Sequence, residues 1–90
     1  MDTSTHQQRA QGLIDYILRE IGRGRRGLEI HEDTPLVSSG LVDSFALVGI
    51  IAKLEDITAT RISAGKIQPN DLDTVRLMLA TAERIGKIRH

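Results

Sequence analysis

The 90-residue chain has no cysteine and no tryptophan, one tyrosine, one phenylalanine and only two prolines. Without cysteine there is no disulfide framework, no thiolate metal site and no thiol nucleophile, so the fold must be held by packing. Without large aromatics the core has to be built from Leu, Ile, Val and Ala, in a chain near the lower size limit for a self-sufficient core. An excess of charge of one sign is also missing. Twelve basic residues balance twelve acidic ones, which argues against a protein that coats nucleic acid. No apolar run approaches membrane-spanning length, and the polar start, Met1 to Gln8, lacks the basic end and apolar stretch of a signal peptide. The expectation is one soluble, cytoplasmic, monomeric domain over residues 1–90, without membrane or nucleic-acid partners and without an internal repeat or linker.

Catalytic equipment is equally sparse. His6, His31 and His90 are scattered and have no metal-ligand spacing, no glycine-rich phosphate loop follows a strand, and no segment reads as a strand. Glu29, Glu32 and Asp33 are near enough in sequence to be considered as an acid–base pair, but carboxylates in a polar loop are ordinarily solvated. The chain is not expected to be an enzyme.

What is present is helical periodicity. Ala10, Leu13, Ile14, Ile17, Leu18 and Ile21 fall on one face of a helix from about Gln7 to Ile21, with Tyr16 off that face. Gly22-Arg23-Gly24-Arg25-Arg26-Gly27 stops it, glycine being the usual helix terminator and basic residues suiting the negative end of the helix dipole. This tract could bind RNA or coenzyme A phosphates. With no aromatic interleaved and a neutral domain around it, it reads as a solvated basic turn. Leu28 to Val42 has no helical period and contains Pro35, so it is a long loop, pinned by Leu28, Ile30, Leu36 and Val37.

A second helix is expected from Ser44 to Glu55 or Asp56, with two apolar stripes. Leu47, Ile50, Ile51 and Leu54 form the wide one and should face the core. Phe45, Val48 and Ala52 form another on the flank nearer Ser44, either buried against a second neighbour or exposed as a contact strip. A single-turn helix is expected near Ile67 to Leu72, after which Asp73 or Thr74 caps a last helix carrying Val75, Met78, Leu79, Ala82 and Ile85 on one face. Gly86 to His90 reads as a frayed basic tail.

The most informative stretch is Gly40-Leu41-Val42-Asp43-Ser44-Phe45. It puts a serine at a helix start, where unpaired N–H groups and the positive end of the dipole favour an esterified phosphate. Asp43 can serve as the N-cap and leave the Ser44 hydroxyl free, or Ser44 can itself be the cap.

Asp33-x-x-Leu36, then Gly40-x-x-Asp43-Ser44-Phe45, then an apolar helix ending in Leu54-Glu55-Asp56 resembles the acyl carrier protein family. The wording is closest to small free-standing carriers, including the D-alanyl type, and the likeness runs from about Leu13 to Ile85. The aspartate before the serine is more like acyl carriers than peptidyl carriers. The resemblance implies an all-α, four-helix acyl-carrier-like bundle with a long loop between helices 1 and 2 and a short third helix. It also implies 4′-phosphopantetheine, derived from coenzyme A, attached covalently to Ser44, with Asp43 as the flanking motif residue. Phe45, Val48, Ala52 and Glu55 would meet partners: a phosphopantetheinyl transferase, an acyl- or aminoacyl-activating enzyme, and a downstream synthase or transferase. The function implied is to hold an acyl or aminoacyl thioester and shuttle it between biosynthetic enzymes. The alternative is a small helical module that binds protein or nucleic acid without a prosthetic group. The second helix departs from the family by being poor in acids, its carboxylates confined to Asp43, Glu55 and Asp56. Its aliphatic core is expected to part for a bound chain.

Overall fold

The computed structural model describes residues 6–22 and 27–88. Helix α1 (His6–Ile21) is followed by a long loop, helix α2 (Ser44–Thr58), strand β1 (Thr60–Arg61), two 3-10 turns at Ala64–Lys66 and Pro69–Leu72, helix α3 (Val75–Ile85) and strand β2 (Lys87–Ile88). The basic turn expected at Arg23 to Arg26, and Arg89 with His90, lie outside the described residues.

The three helices pack on one another around a single aliphatic core. From α1 come Ala10, Leu13, Ile14 and Ile17, and from α3 Val75, Met78, Leu79 and Ala82, while Leu18, Ile21 and Ile85 of the expected faces are only half-buried. Helix α2 contributes only Ile50 and Leu54 as fully buried residues. The rest is supplied by irregular chain: Ile30, Leu36 and Val42 from the long loop, Ile62 and Leu72 from the segment between α2 and α3. Loop residues thus fill the side of the core that a further helix would otherwise cover.

The expected four-helix bundle is not what the chain forms. Among the described residues there are three α-helices and a short two-stranded sheet, and the place of the third helix of four is taken by two 3-10 turns. The sequence explains this. Ala59 closes α2 in the left-handed conformation, φ 54°, its N–H donating back toward Asp56 and Glu55, and so turns the chain sharply away. Pro69 can begin a helix but not sit inside one, and the cap of α3 begins five residues later at Thr74, which leaves room for one turn. Asp71 closes that turn by accepting the Gln68 N–H at 3.0 Å.

The sheet is a second correction, because no segment was expected to be a strand and Gly86 onward was expected to fray. Lys87 and Ile88 instead pair antiparallel with Arg61 and Thr60. The pairing is two residues long, too short for side-chain alternation to announce it.

Candidate functional site

The site is the junction between the long loop and α2. The loop closes on itself just before the helix: Val42 N–H donates to the Leu36 carbonyl at 2.9 Å and Gly40 N–H to that of Val37 at 3.1 Å. Leu36 and Val42 are both buried, so the two ends of this turn are anchored in the core. Gly40 has φ +81°, a conformation glycine adopts without steric cost, and its position in the Gly40-x-x-Asp43-Ser44 pattern follows from that turn.

Asp43 is the N-cap. Its carboxylate accepts the Ala46 N–H at 2.7 Å and its carbonyl accepts that of Leu47 at 3.0 Å. Ser44 is therefore the first helical residue, not the cap, and its side chain is exposed. Its hydroxyl has no hydrogen bond among the described residues.

The angular arrangement of α2 explains the rest. At about 100° per residue, Ile50 and Leu54 point to the core, roughly opposite the direction of Phe45 and Ala52. Phe45 is 89% exposed and Val48 69%. Ala52 is exposed too, so the second apolar stripe is a surface strip and not a second buried face. Leu47 and Ile51 lie between the core direction and Ser44, and are accordingly half-buried. They form one wall of an open groove of about 350 Å³ beside Ser44, completed by Val37, Ile67, Gln68, Pro69, Leu72 and Asp43. The aliphatic space next to the serine is thus a groove outside the core, while Leu54, Val75 and Leu79 remain closed within it.

A second groove flanks the other side of the helix start, between α1 and α2, lined by Tyr16, Ile21, Leu41, Phe45, Ala46 and Val48 among others. Tyr16 was not foreseen here. Its hydroxyl lies over Gly49, where an added Cβ would come within 2.8 Å of it, and the Lys53 ammonium is 5.9 Å from its ring centre. The available signal was the tyrosine lying off the core face of α1 together with the small residue in α2.

Of the expected contact residues, Phe45 and Val48 lie within about 6 Å of Ser44 along the helix axis, Ala52 about 12 Å and Glu55 about 16 Å away, at 1.5 Å rise per residue. Glu55 differs from the others because its carboxylate accepts the Ile62 N–H at 2.7 Å and so fixes the chain after α2. Glu29, Glu32 and Asp33 have partners at the surface: Glu29 lies 3.7 Å from His31, Glu32 is hydrogen-bonded to His6 and lies 3.9 Å from Arg76, and Asp33 forms an ion pair with Arg76. The hydrogen bond from Arg76 holds the Asp33 carboxyl below the usual carboxylate range. Among the described residues no cluster of three or more His, Asp or Glu could hold a metal ion, and no helix is long and apolar enough to cross a membrane.

No family model matches this chain, and no curated protein matches it.

The loop is tied to the start of α3 by Asp73. One carboxylate oxygen accepts the N–H groups of Val37 and Ser38 at 2.9 and 2.8 Å, the other accepts the Ser38 hydroxyl at 2.8 Å, and the Asp73 carbonyl accepts the Leu36 N–H at 2.7 Å. The Ser38 N–H and hydroxyl, and then that of Val37, favour the ionised form and lower the Asp73 pKa. A depressed carboxylate pKa contributes stability that is fully present above the ordinary aspartate range and is lost as pH falls through the lowered value. Asp73→Asn should therefore be less stable than wild type near neutral pH, and the gap between their urea midpoints should narrow on acidification. A gap that stays constant with pH would show that ionisation of Asp73 contributes nothing.

Proposed function

We propose that this chain is a carrier protein in the manner of the acyl carrier family, with Ser44 as the attachment point for 4′-phosphopantetheine. The observation that carries this reading is the division of labour at the start of α2: Asp43 takes the cap, which leaves Ser44 exposed with its hydroxyl uncommitted among the described residues. The residues fit such a group. The serine sits at the positive end of a 15-residue helix, where a phosphodiester is favoured. The aliphatic groove lined by Val37, Leu47, Ile51, Ile67, Pro69 and Leu72 opens beside it.

The bound arm would supply a thiol that holds an acyl or aminoacyl group as a thioester. This chain's own residues make no bond in the cargo. Asp43 orients the helix start, Ser44 provides the oxygen of the phosphodiester, and the groove walls offer an apolar surface for aliphatic cargo. The partners are a phosphopantetheinyl transferase, an activating enzyme that loads the arm, and a synthase or transferase that unloads it. The work is done in the cytoplasm.

Two outcomes are expected. After coexpression with a phosphopantetheinyl transferase, wild type should gain the mass of one phosphopantetheinyl group and Ser44→Ala should gain none while remaining folded. A wild type that is never modified defeats the reading.

Partner enzymes should grip the exposed apolar strip more than the carboxylates. Fully burying a side chain the size of phenylalanine or valine contributes about 1.5–3 kcal/mol, whereas an exposed ion pair contributes about 0–1 kcal/mol and is screened by salt. Glu55 is in addition occupied by Ile62. Phe45→Ala should impair loading more than Glu55→Gln, and because Phe45 is exposed it should change stability by no more than about 0.5 kcal/mol. Loading that falls steeply with salt and is indifferent to Phe45→Ala would instead show recognition by charge.

A further inference from the structure

The first turn of α2 has little packing of its own. Phe45 and Val48 are exposed, Ala46 and Leu47 only half-buried, and the first fully buried residue of the helix is Ile50, nearly two turns past Ser44. The position of Ser44 must therefore be set from the loop side.

That loop is held in two linked steps. Val42 N–H donates to the Leu36 carbonyl, which closes the turn that runs directly into Asp43 and Ser44. At the other end of the turn, where Leu36 is buried in the core, residues 36–38 are also bonded to Asp73 through both carboxylate oxygens and its carbonyl. Asp73 lies between the 3-10 turn at Pro69–Leu72 and α3, whose cap is Thr74, accepting the Leu77 N–H at 3.0 Å. The grip on the loop thus comes from the junction between the 3-10 turn and α3, and it is distinct from the capping of α3.

We propose that Asp73 is the positioning residue of the carrier site: it latches the loop at residues 36–38 to the start of α3 and thereby fixes where Ser44 is presented to an incoming enzyme. This rests on the reading of Ser44 as the attachment point. Asp73 does not touch the serine. It acts by keeping one loop conformation dominant, so that a partner need not select it from several. When only a fraction of molecules has the competent arrangement, apparent affinity falls by that fraction while events in the bound complex proceed as before.

The experiment is steady-state modification of the full chain by a phosphopantetheinyl transferase with coenzyme A. Substrates are wild type, Asp73→Asn, Asp73→Ala, Ser38→Ala and Ile17→Val, the last a core truncation in α1 remote from the loop. Amide exchange at Val37 and Ser38 is measured on the same samples. The latch predicts faster exchange at both amides in Asp73→Ala, with KM for the carrier raised by about tenfold and kcat within about twofold of wild type. Asp73→Asn keeps an acceptor oxygen for both N–H groups and should recover most of the loss. Ser38→Ala removes only the hydroxyl arm and should shift KM less, in the same direction, which keeps the test available if Asp73→Ala does not fold. Ile17→Val should lose stability with KM unchanged. Fast exchange in Asp73→Ala with an unaltered KM would overturn the positioning role, as would an equal rise in KM for Ile17→Val. Wild type that is not modified at all would overturn the carrier reading beneath it.

Discussion

Helix α2 has to close the core and keep its first turn available at the surface, and it does both by restricting its full burial to Ile50 and Leu54. The 3.6-residue period then fixes what the other directions can be. Phe45, Val48 and Ala52 must face outward, Leu47 and Ile51 must sit half-exposed beside Ser44, and Ala46 and Gly49 must turn toward the groove shared with Tyr16 of α1. The two grooves on either side of the helix start are therefore consequences of one helix orientation. One is aliphatic and adjoins the serine, and the other carries the two exposed apolar residues that a partner could cover.

A helix start so lightly packed needs its position imposed by its neighbours. The turn from Leu36 to Val42 does this with buried residues at both ends, Asp43 fixes the first helical amides, and Asp73 ties the turn to α3. The interactions differ in character. Burial of Leu36 and Val42 is insensitive to pH and salt, whereas the Asp73 carboxylate depends on ionisation and on aligned donors. The same loop is joined to α3 a second time, where the Arg76 N–H donates to the Glu32 carbonyl at 3.0 Å and its guanidinium pairs with Asp33. That second tie lies near the middle of the loop, so the Asp73 contact is the one nearer to Ser44 in the chain.

Local features of the sequence carried over well. Most of the buried face of α1 and the start of α2 at Ser44 follow from periodicity, and where the sequence offered two adjacent residues for each cap the structure uses Asp43 and Thr74. The exposure of the Phe45 stripe could not be decided from spacing, because a stripe looks the same whether buried or not. What failed was whatever depends on partners distant in sequence. The Thr60–Ile88 pairing spans most of the second half of the chain, and the Asp73 hydrogen bonds reach back thirty-five and thirty-six residues to Ser38 and Val37. Between α2 and α3 the single turn expected near Ile67 to Leu72 forms as a 3-10 turn at Pro69–Leu72, though no bundle helix comes from this segment. Its apolar residues, Ile62, Ile67 and Leu72, reach the core from 3-10 turns and extended chain, where no helical period is needed to bury them.

The central claim is that one exposed hydroxyl at the start of α2 is the attachment point. Fragment-ion mass spectrometry of the intact chain, after incubation with coenzyme A and a phosphopantetheinyl transferase, addresses it directly. The account predicts a single phosphopantetheinyl group whose flanking fragments bracket Ser44. A group located on Ser38, Ser39 or Ser63, or an unmodified chain under conditions that modify a known carrier, would contradict it.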